Sequence, residues 1–146
     1  MKKPVFTGAG VAIITPFKST GEVNYEEFGR IIDHQIAHHT DAIIVCGTTG
    51  EAAALTQDER LETAALLVPR LLAAGKLAIV HVGQTNQRQA VELARQAAAL
   101  GAHAVASIPP KKPWPQIVEY YKALAAAGAP VIVYYIPGVT GMTAGM

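Results

Sequence analysis

Five short apolar runs alternate with longer stretches of helical periodicity along this chain, and this alternation constrains the fold more than any other feature. The runs are nearly continuous in Val, Ile and Ala, which is typical of parallel strands buried on both faces. Strands that alternate with amphipathic helices indicate βαβ units in an α/β fold. The sequence therefore predicts five strands, at residues 11–15, 42–46, 77–82, 104–108 and 130–136.

Four helices are expected between these strands, and two of them have clear start signals. Asn24 with Glu27, and Thr56 with Glu59, are cap pairs three residues apart, in which the first side chain accepts an unpaired helix amide. We find no linker, so residues 1–146 are predicted to form a single domain. A complete (β/α)8 barrel needs about 250 residues, so a length of 146 residues by itself favours an open doubly wound sheet.

The net charge and the cysteine content limit which binding partners and which cellular location are expected. Twelve Lys and Arg against eleven Asp and Glu give a net charge of +1, so neither nucleic acid nor a membrane surface is expected as a partner. Cys46 is the single cysteine, which excludes an intramolecular disulfide and a cysteine-built metal site. The first eight residues lack the apolar run of a secretory signal. The expected location is cytoplasmic.

A glycine- and threonine-rich turn follows the second predicted strand. Residues 47–51 read Gly-Thr-Thr-Gly-Glu, which places two hydroxyls and several backbone amides between glycines. Such a turn suits a small carboxylate or phosphate, but it lacks the lysine of a nucleotide P-loop. The same residues also fit a plain turn that ends the strand.

Two tyrosines end the fifth predicted strand. Strand alternation sends Tyr134 and Tyr135 to opposite faces of the sheet. A phenol at the carboxyl end of a strand can relay protons or hold a substrate oxygen, and it can equally well pack in a core.

The remaining candidate side chains favour structural roles. His34 and His38 are four residues apart, a spacing that can bind zinc, but no third ligand is evident and a solvated face is expected. His81 and His103 are predicted to pack beside strands, and Cys46 to be inert core. No metal site is predicted.

Four motifs at the predicted strand ends, taken in order, resemble those of the pyruvate-dependent class I aldolase family that contains dihydrodipicolinate synthase and N-acetylneuraminate lyase. The motifs are Ile-Thr-Pro-Phe at 14–17, Gly-Thr-Thr-Gly-Glu at 47–51 with its continuation to residue 60, Val-Gly with Thr-Asn at 82–86, and Tyr-Tyr-Ile-Pro-Gly at 134–138 with Thr-Gly at 140–141. The resemblance implies the N-terminal portion of a (β/α)8 TIM barrel, truncated to about five strands and four helices in sequential order.

The resemblance also implies a lyase that condenses or cleaves at the methyl carbon of pyruvate through a lysine Schiff base. By that similarity Gly47, Thr48 and Thr49 bind the pyruvate carboxylate, Thr49 assists proton transfer, and Tyr134 relays protons at the imine carbon. The implied partners are pyruvate and an aldehyde, with no cofactor, in a homo-oligomer.

Three departures from the family pattern shape the expected activity. The Schiff-base lysine lies on the sixth strand in the family, so the 146-residue chain alone is expected to lack turnover. The arginine that the synthase branch carries after its Tyr-Asn-Val-Pro-Gly is Val139 here, and residues 109–113 replace the paired aromatics after strand four. His81-Val82-Gly83 and Lys112-Pro113-Trp114 favour the lyase branch.

Two alternatives to catalysis remain open at this point. One is a half-barrel that pairs its exposed strand edges with another copy and has no chemistry. The other is a self-contained open sheet that binds a small anion at residues 47–51. Strand order separates the open sheet from the barrel arc, because the doubly wound form places its first strand inside the sheet.

Overall fold

A parallel sheet with sequential strand order forms the centre of the protein. The computed structural model describes residue 4 and residues 6–83 and 86–141. Within these residues the strands are β1 (Gly10–Ala12), β2 (Ala42–Val45), β3 (Leu77–His81), β4 (Ala104–Ser107) and β5 (Val131–Val133). Each strand pairs in parallel with the next along the chain. The doubly wound open sheet is therefore wrong, and the arc of a barrel is confirmed.

The four predicted helices are present, and both predicted caps are formed. They are α1 (Tyr25–Ala37), α2 (Gln57–Ala73), α3 (Gln87–Ala99) and α4 (Trp114–Ala125). Two elements were not predicted, a 3₁₀ turn at Ala52–Ala54 and a short helix α5 at Pro137–Thr140.

The caps fix where α1 and α2 begin. Asn24 Oδ1 accepts the Glu27 amide at 3.1 Å. Thr56 and Glu59 form a reciprocal capping box, in which each side chain accepts the other residue's amide.

The outer strands are shorter and less buried than the sequence predicted. β1 ends at Ala12 and β5 at Val133, although the apolar runs continue. Each of these strands pairs with one neighbour among the described residues, so part of each lies in contact with solvent. Burial on both faces holds for most of β2, β3 and β4, which lie between other strands.

Side chains alternate between two faces of the sheet. Those on one face, including Ile43, Val80 and Val105, join the main core beneath the helices. Those on the other face, which we call the inner face, form a smaller cluster in which three alanines and Ile79 are buried and larger side chains pack against them: Ala42, Ile79, Ala104 and Ala106, with Phe6, Ile44, Leu77 and Ile132. The helices therefore cover one face, and the inner face is left for the residues that follow the strands.

In the part of the chain that the structure describes, no helix has the length and apolar character needed to cross a membrane.

Candidate functional site

A cavity opens at the carboxyl ends of β2, β3 and β4. Its volume is about 730 Å³, within the range of about 300–1,000 Å³ that is usual for small-molecule sites. One wall is the segment after β2, with Thr48, Glu51 and the 3₁₀ turn, and the other is the loop after β4, residues 108–112. His81 and Gly83 line it at the end of β3, the strand between these two.

A buried arginine joins two parts of the cavity. The Arg60 guanidinium donates to the backbone oxygens of Ala52 and Gly83, the latter at 3.1 Å. Only 7% of this side chain is exposed, and burial lowers its pKa, although the guanidinium stays charged in proteins. Arg60 thus holds the 3₁₀ turn against the end of β3. In the sequence, Arg60 stands out only as the last residue of the extended Gly-Thr-Thr-Gly motif.

The threonine turn is fixed to the end of the first strand. Thr15 Oγ1 donates to the Gly50 carbonyl at 2.7 Å. A Cβ at Gly50 would lie 3.0 Å from the Ile13 carbonyl oxygen, so glycine permits this close approach. Two other residues of the turn region, Cys46 and Glu51, have left-handed backbone conformations. The turn is therefore a specific structure, held by contacts from outside itself.

Cys46 is the inert core residue that the sequence predicted. It is fully buried, and burial raises the pKa of its thiol to about 12. The thiolate that reactive cysteines use is therefore disfavoured at neutral pH.

The predicted site residues lie at one end of the sheet but occupy different positions. Thr48 lines the cavity, while Gly47 and Thr49 are not among the described residues that line it. Both threonines are exposed, and Gly47 is buried. Of the third strand-end motif, residues 84–85 lie outside the described part of the chain. The binding roles of Gly47, Thr48 and Thr49 stay predictions.

Tyr134 lies next to the cavity rather than on its wall. It follows Ile132 by two residues, so both point to the inner face. Its ring meets the His81 ring edge-on, with 6.3 Å between the centroids. Strand alternation predicts the other face for Tyr135, one residue later. His81 is thus the contact between Tyr134 and the cavity, and the proton-relay role of Tyr134 stays a prediction.

His81 is the functional candidate that sequence analysis missed. It is 4% exposed, and neither ring nitrogen makes a regular hydrogen bond with any described residue. Burial, reinforced by repulsion from the Arg60 charge, lowers the pKa of His81 to about 4. Interaction of the ring with the Cys46 backbone oxygen favours the protonated form and opposes this decrease. The packing beside a strand that the sequence predicted is confirmed for His81, which is buried at the end of β3, and for His103, whose Nδ1 accepts the Ala78 amide at 3.2 Å. The sequence did not indicate that the His81 ring also lines the cavity.

No metal-binding cluster accompanies these residues. Among the residues described, no group of three or more His, Cys, Asp or Glu side chains comes together. His34 on α1 and His38, which caps the carboxyl end of α1, are exposed, with their ring centroids 4.0 Å apart. Their predicted position on a solvated helix face is confirmed.

Comparison with known proteins identifies the family. The family model described as "Dihydrodipicolinate synthetase family" matches residues 5–145. The chain belongs to this family. A 4-hydroxy-tetrahydrodipicolinate synthase from Caldicellulosiruptor saccharolyticus is 41% identical over 143 residues, which cover 95% of this chain and 48% of the relative.

Solved structures of the dihydrodipicolinate synthetase family share the fold. Dihydrodipicolinate synthase from Aquifex aeolicus aligns with a TM-score of 0.85 at 37% identity, over 91% of this chain and 46% of that chain. The enzyme from Acinetobacter baumannii complexed with pyruvate aligns with a TM-score of 0.82 at 32% identity, over 90% and 46%. The chain spans about half the length of the curated relatives it matches. The resemblance drawn from the strand-end motifs is confirmed, as is membership of a lyase family.

We expect Arg60→Met to destabilise the protein by about 2–3 kcal/mol, because the substitution leaves the carbonyls of Ala52 and Gly83 without a buried donor. Urea denaturation measures this loss. Arg95→Met, on the exposed side of α3, removes the same charge and should change the free energy of unfolding by less than about 0.5 kcal/mol. Equal losses in the two variants would contradict the bridging role of Arg60.

The pKa of His81 predicts a loss of stability in mild acid. Below about pH 6.5 the unfolded chain protonates this histidine, whereas the folded protein keeps it neutral until about pH 4. Stability should therefore fall by roughly 2 kcal/mol from about pH 7 to pH 5 through this group alone. The free energy of unfolding of His81→Asn, measured at both pH values, should lack this part of the decrease. An unchanged pH dependence in the variant would refute the assignment.

Proposed function

We propose that this chain forms the pyruvate-binding part of a class I aldolase that condenses pyruvate with an aldehyde or cleaves the product. The observation that carries the proposal is the position of Tyr134 and of the turn at residues 47–51 at the same, carboxyl end of one parallel sheet, beside one cavity. Membership of the dihydrodipicolinate synthetase family and a relative complexed with pyruvate support it.

Thr48 and Thr49 bind the carboxylate of pyruvate in this proposal. Within the described residues the carbonyls of Gly47 and Thr48 accept the amides of Ala52 and Glu51, while the two threonine hydroxyls have no partner. Hydroxyl donors that are free and exposed at a rigid turn can bind an anion without first breaking another hydrogen bond. Thr49 also assists proton transfer.

Tyr134 relays protons to and from the reacting carbon. Its phenol follows a strand on the inner face, and the neutral ring of His81 packs against it. A phenol in this position can donate a proton to the reacting carbon and accept one from it.

The reaction also requires a lysine nucleophile, which neither the threonines nor Tyr134 can supply. In the family chemistry, a lysine amine replaces the keto oxygen of pyruvate, which leaves as water, and the methyl carbon then loses a proton and adds to the aldehyde carbon. Lys76 precedes β3, at the opposite end of the sheet, and Lys122 on α4 pairs with Glu119. Lys111 and Lys112 lie on a loop. We propose that the nucleophile is none of these residues.

Pyruvate should bind to the 146-residue chain reversibly, without an adduct that borohydride can trap. Calorimetry should show that Thr48→Val weakens pyruvate binding about tenfold, since a hydrogen bond to a charged group contributes about 1.5–3 kcal/mol. Thr20→Val, in an exposed loop, is the matched control and should retain the wild-type affinity.

Two results would overturn the proposal in different ways. Failure of pyruvate to bind would remove the keto-acid site. A reduced pyruvyl adduct on any lysine of this chain, found by mass spectrometry, would show that the nucleophile is present.

A second candidate function is self-association without chemistry. Exposed apolar side chains follow the two outer strands, with Ile14 52% exposed after β1 and Val133 55% exposed at the end of β5. Strand edges with adjacent apolar surface favour pairing with another chain.

Light scattering should then give a mass of about twice the 15.4 kDa of one chain. Ile14→Asp should shift this mass toward the monomer, because a carboxylate opposes burial of the edge. Leu66→Asp, at an exposed position on α2, should leave it unchanged. A monomer at every protein concentration would rule out this candidate.

A further inference from the structure

The cavity contains a buried polar side chain that the pyruvate site leaves unused. His81 is almost completely buried and lines the cavity, and neither ring nitrogen makes a regular hydrogen bond with a described residue, although the Cys46 backbone oxygen acts on the ring. A buried polar atom without a hydrogen bond lowers stability, and such atoms in native proteins often have a functional explanation. A neutral imidazole offers one N–H donor and one lone pair, which suit a hydroxyl or carbonyl oxygen.

The position of the His81 ring is also tightly determined. A Cβ at Gly83 would lie 2.8 Å from His81 Cε1 and 3.0 Å from Ser107 Oγ, so the backbone after β3 packs directly on the ring. Ser107 Oγ is in turn bonded to the Tyr120 hydroxyl at 2.8 Å. Tyr134 contacts the ring edge-on from β5. These contacts preorganise the imidazole for a ligand.

The cavity wall after β4 carries positive charge. Lys111 and Lys112 line the cavity, are exposed, and have no ion pair within the described sequence. Glu51 is the single carboxylate among the described lining residues, and Arg60 already donates to two carbonyls. Three cations against one carboxylate favour an anionic ligand, and the two lysines are the cations free to bind it.

We propose that this cavity binds the second substrate, a hydroxyaldehyde with a terminal phosphate or carboxylate, through His81 at a hydroxyl or carbonyl oxygen and through Lys111 and Lys112 at the anionic end. The assignment rests on the proposed function, which makes the cavity the place where the aldehyde meets pyruvate. It gives the family reaction a specificity determinant on the β4–α4 loop. The resemblance leads one to expect a positive charge at position 139, in α5, and Val139 does not supply it.

Trp114 provides the measurement. It is the single tryptophan of the chain, lies two residues after Lys112 at the start of α4, and is 57% exposed. Fluorescence titrations of the 146-residue chain would compare glyceraldehyde 3-phosphate, tartronate semialdehyde, uncharged glyceraldehyde and inorganic phosphate. The phosphate- or carboxylate-bearing hydroxyaldehyde should bind at least about tenfold more tightly than glyceraldehyde. The first two compounds distinguish a phosphate from a carboxylate as the anionic group.

Variants that remove lysine charges near the cavity and away from it test the two lysines. Joint substitution Lys111→Gln and Lys112→Gln should weaken binding of the anionic aldehyde about tenfold and leave glyceraldehyde binding unchanged. Lys76→Gln, which removes one charge before the amino end of β3, should change the affinity less than about twofold. Wild-type affinity in the double variant would overturn the proposal.

Two His81 variants and one direct observation test the imidazole. His81→Leu should weaken binding of the anionic aldehyde about tenfold but leave inorganic phosphate unaffected, and His81→Gln should restore part of the loss by supplying an amide donor. If His81→Leu does not fold, nitrogen-15 NMR of the wild-type His81 ring gives the same answer, because a hydrogen bond from the aldehyde shifts the ring resonances. An unmoved resonance at saturation, or equal binding of inorganic phosphate and the aldehyde, would overturn the role of His81.

The pyruvate titration separates this inference from the proposed function. Pyruvate binding without binding of either anionic aldehyde would overturn the second-substrate site alone. Lysine-dependent aldehyde binding without pyruvate binding would overturn the proposed function and leave the ligand class of the cavity supported.

Discussion

Burial of one face of a parallel sheet against four helices is the constraint on which the rest of this structure depends. Most large aliphatic side chains of the central strands join the core beneath the helices, whereas the buried residues of the smaller inner-face cluster include Ala42, Ala104 and Ala106. Because side chains alternate along a strand, this division decides the direction of every residue that ends a strand. His81 shares the parity of Ile79, and Tyr134 that of Ile132, so both reach the inner face at the carboxyl end of the sheet.

The site above that face depends on polar groups satisfied from within the chain. Arg60 supplies donors to two loop carbonyls, and Thr15 supplies a donor to a third. These hydrogen bonds hold the threonine turn and the end of β3 in place without a ligand, which lowers the entropic cost of binding. His81 is the contrasting case. Its environment favours the neutral ring and leaves both ring nitrogens without a regular hydrogen bond to a described residue, so hydrogen-bonding capacity remains for a ligand.

Local signals in the sequence predicted the elements well, and they failed where the environment of a residue depends on distant contacts. Asn24 and Thr56 could be identified as caps because a cap involves residues only three positions apart. The outer strands were overextended because an apolar run does not show whether a strand has one neighbour or two. The packing role predicted for His81 was incomplete, since parity along β3 alone does not show that a cavity opens beside the ring.

The order of the apolar runs, the helix caps and the strand-end motifs determined the α/β class, the number of long helices and the family, because each of these depends on short-range patterns. Length alone favoured the wrong sheet topology. The tertiary structure decided the sequential strand order, the bridge from Arg60 to the end of β3, and the meeting of His81 with Tyr134. These features join residues that are tens of positions apart, and their geometry follows from strand register and packing, which no local pattern encodes.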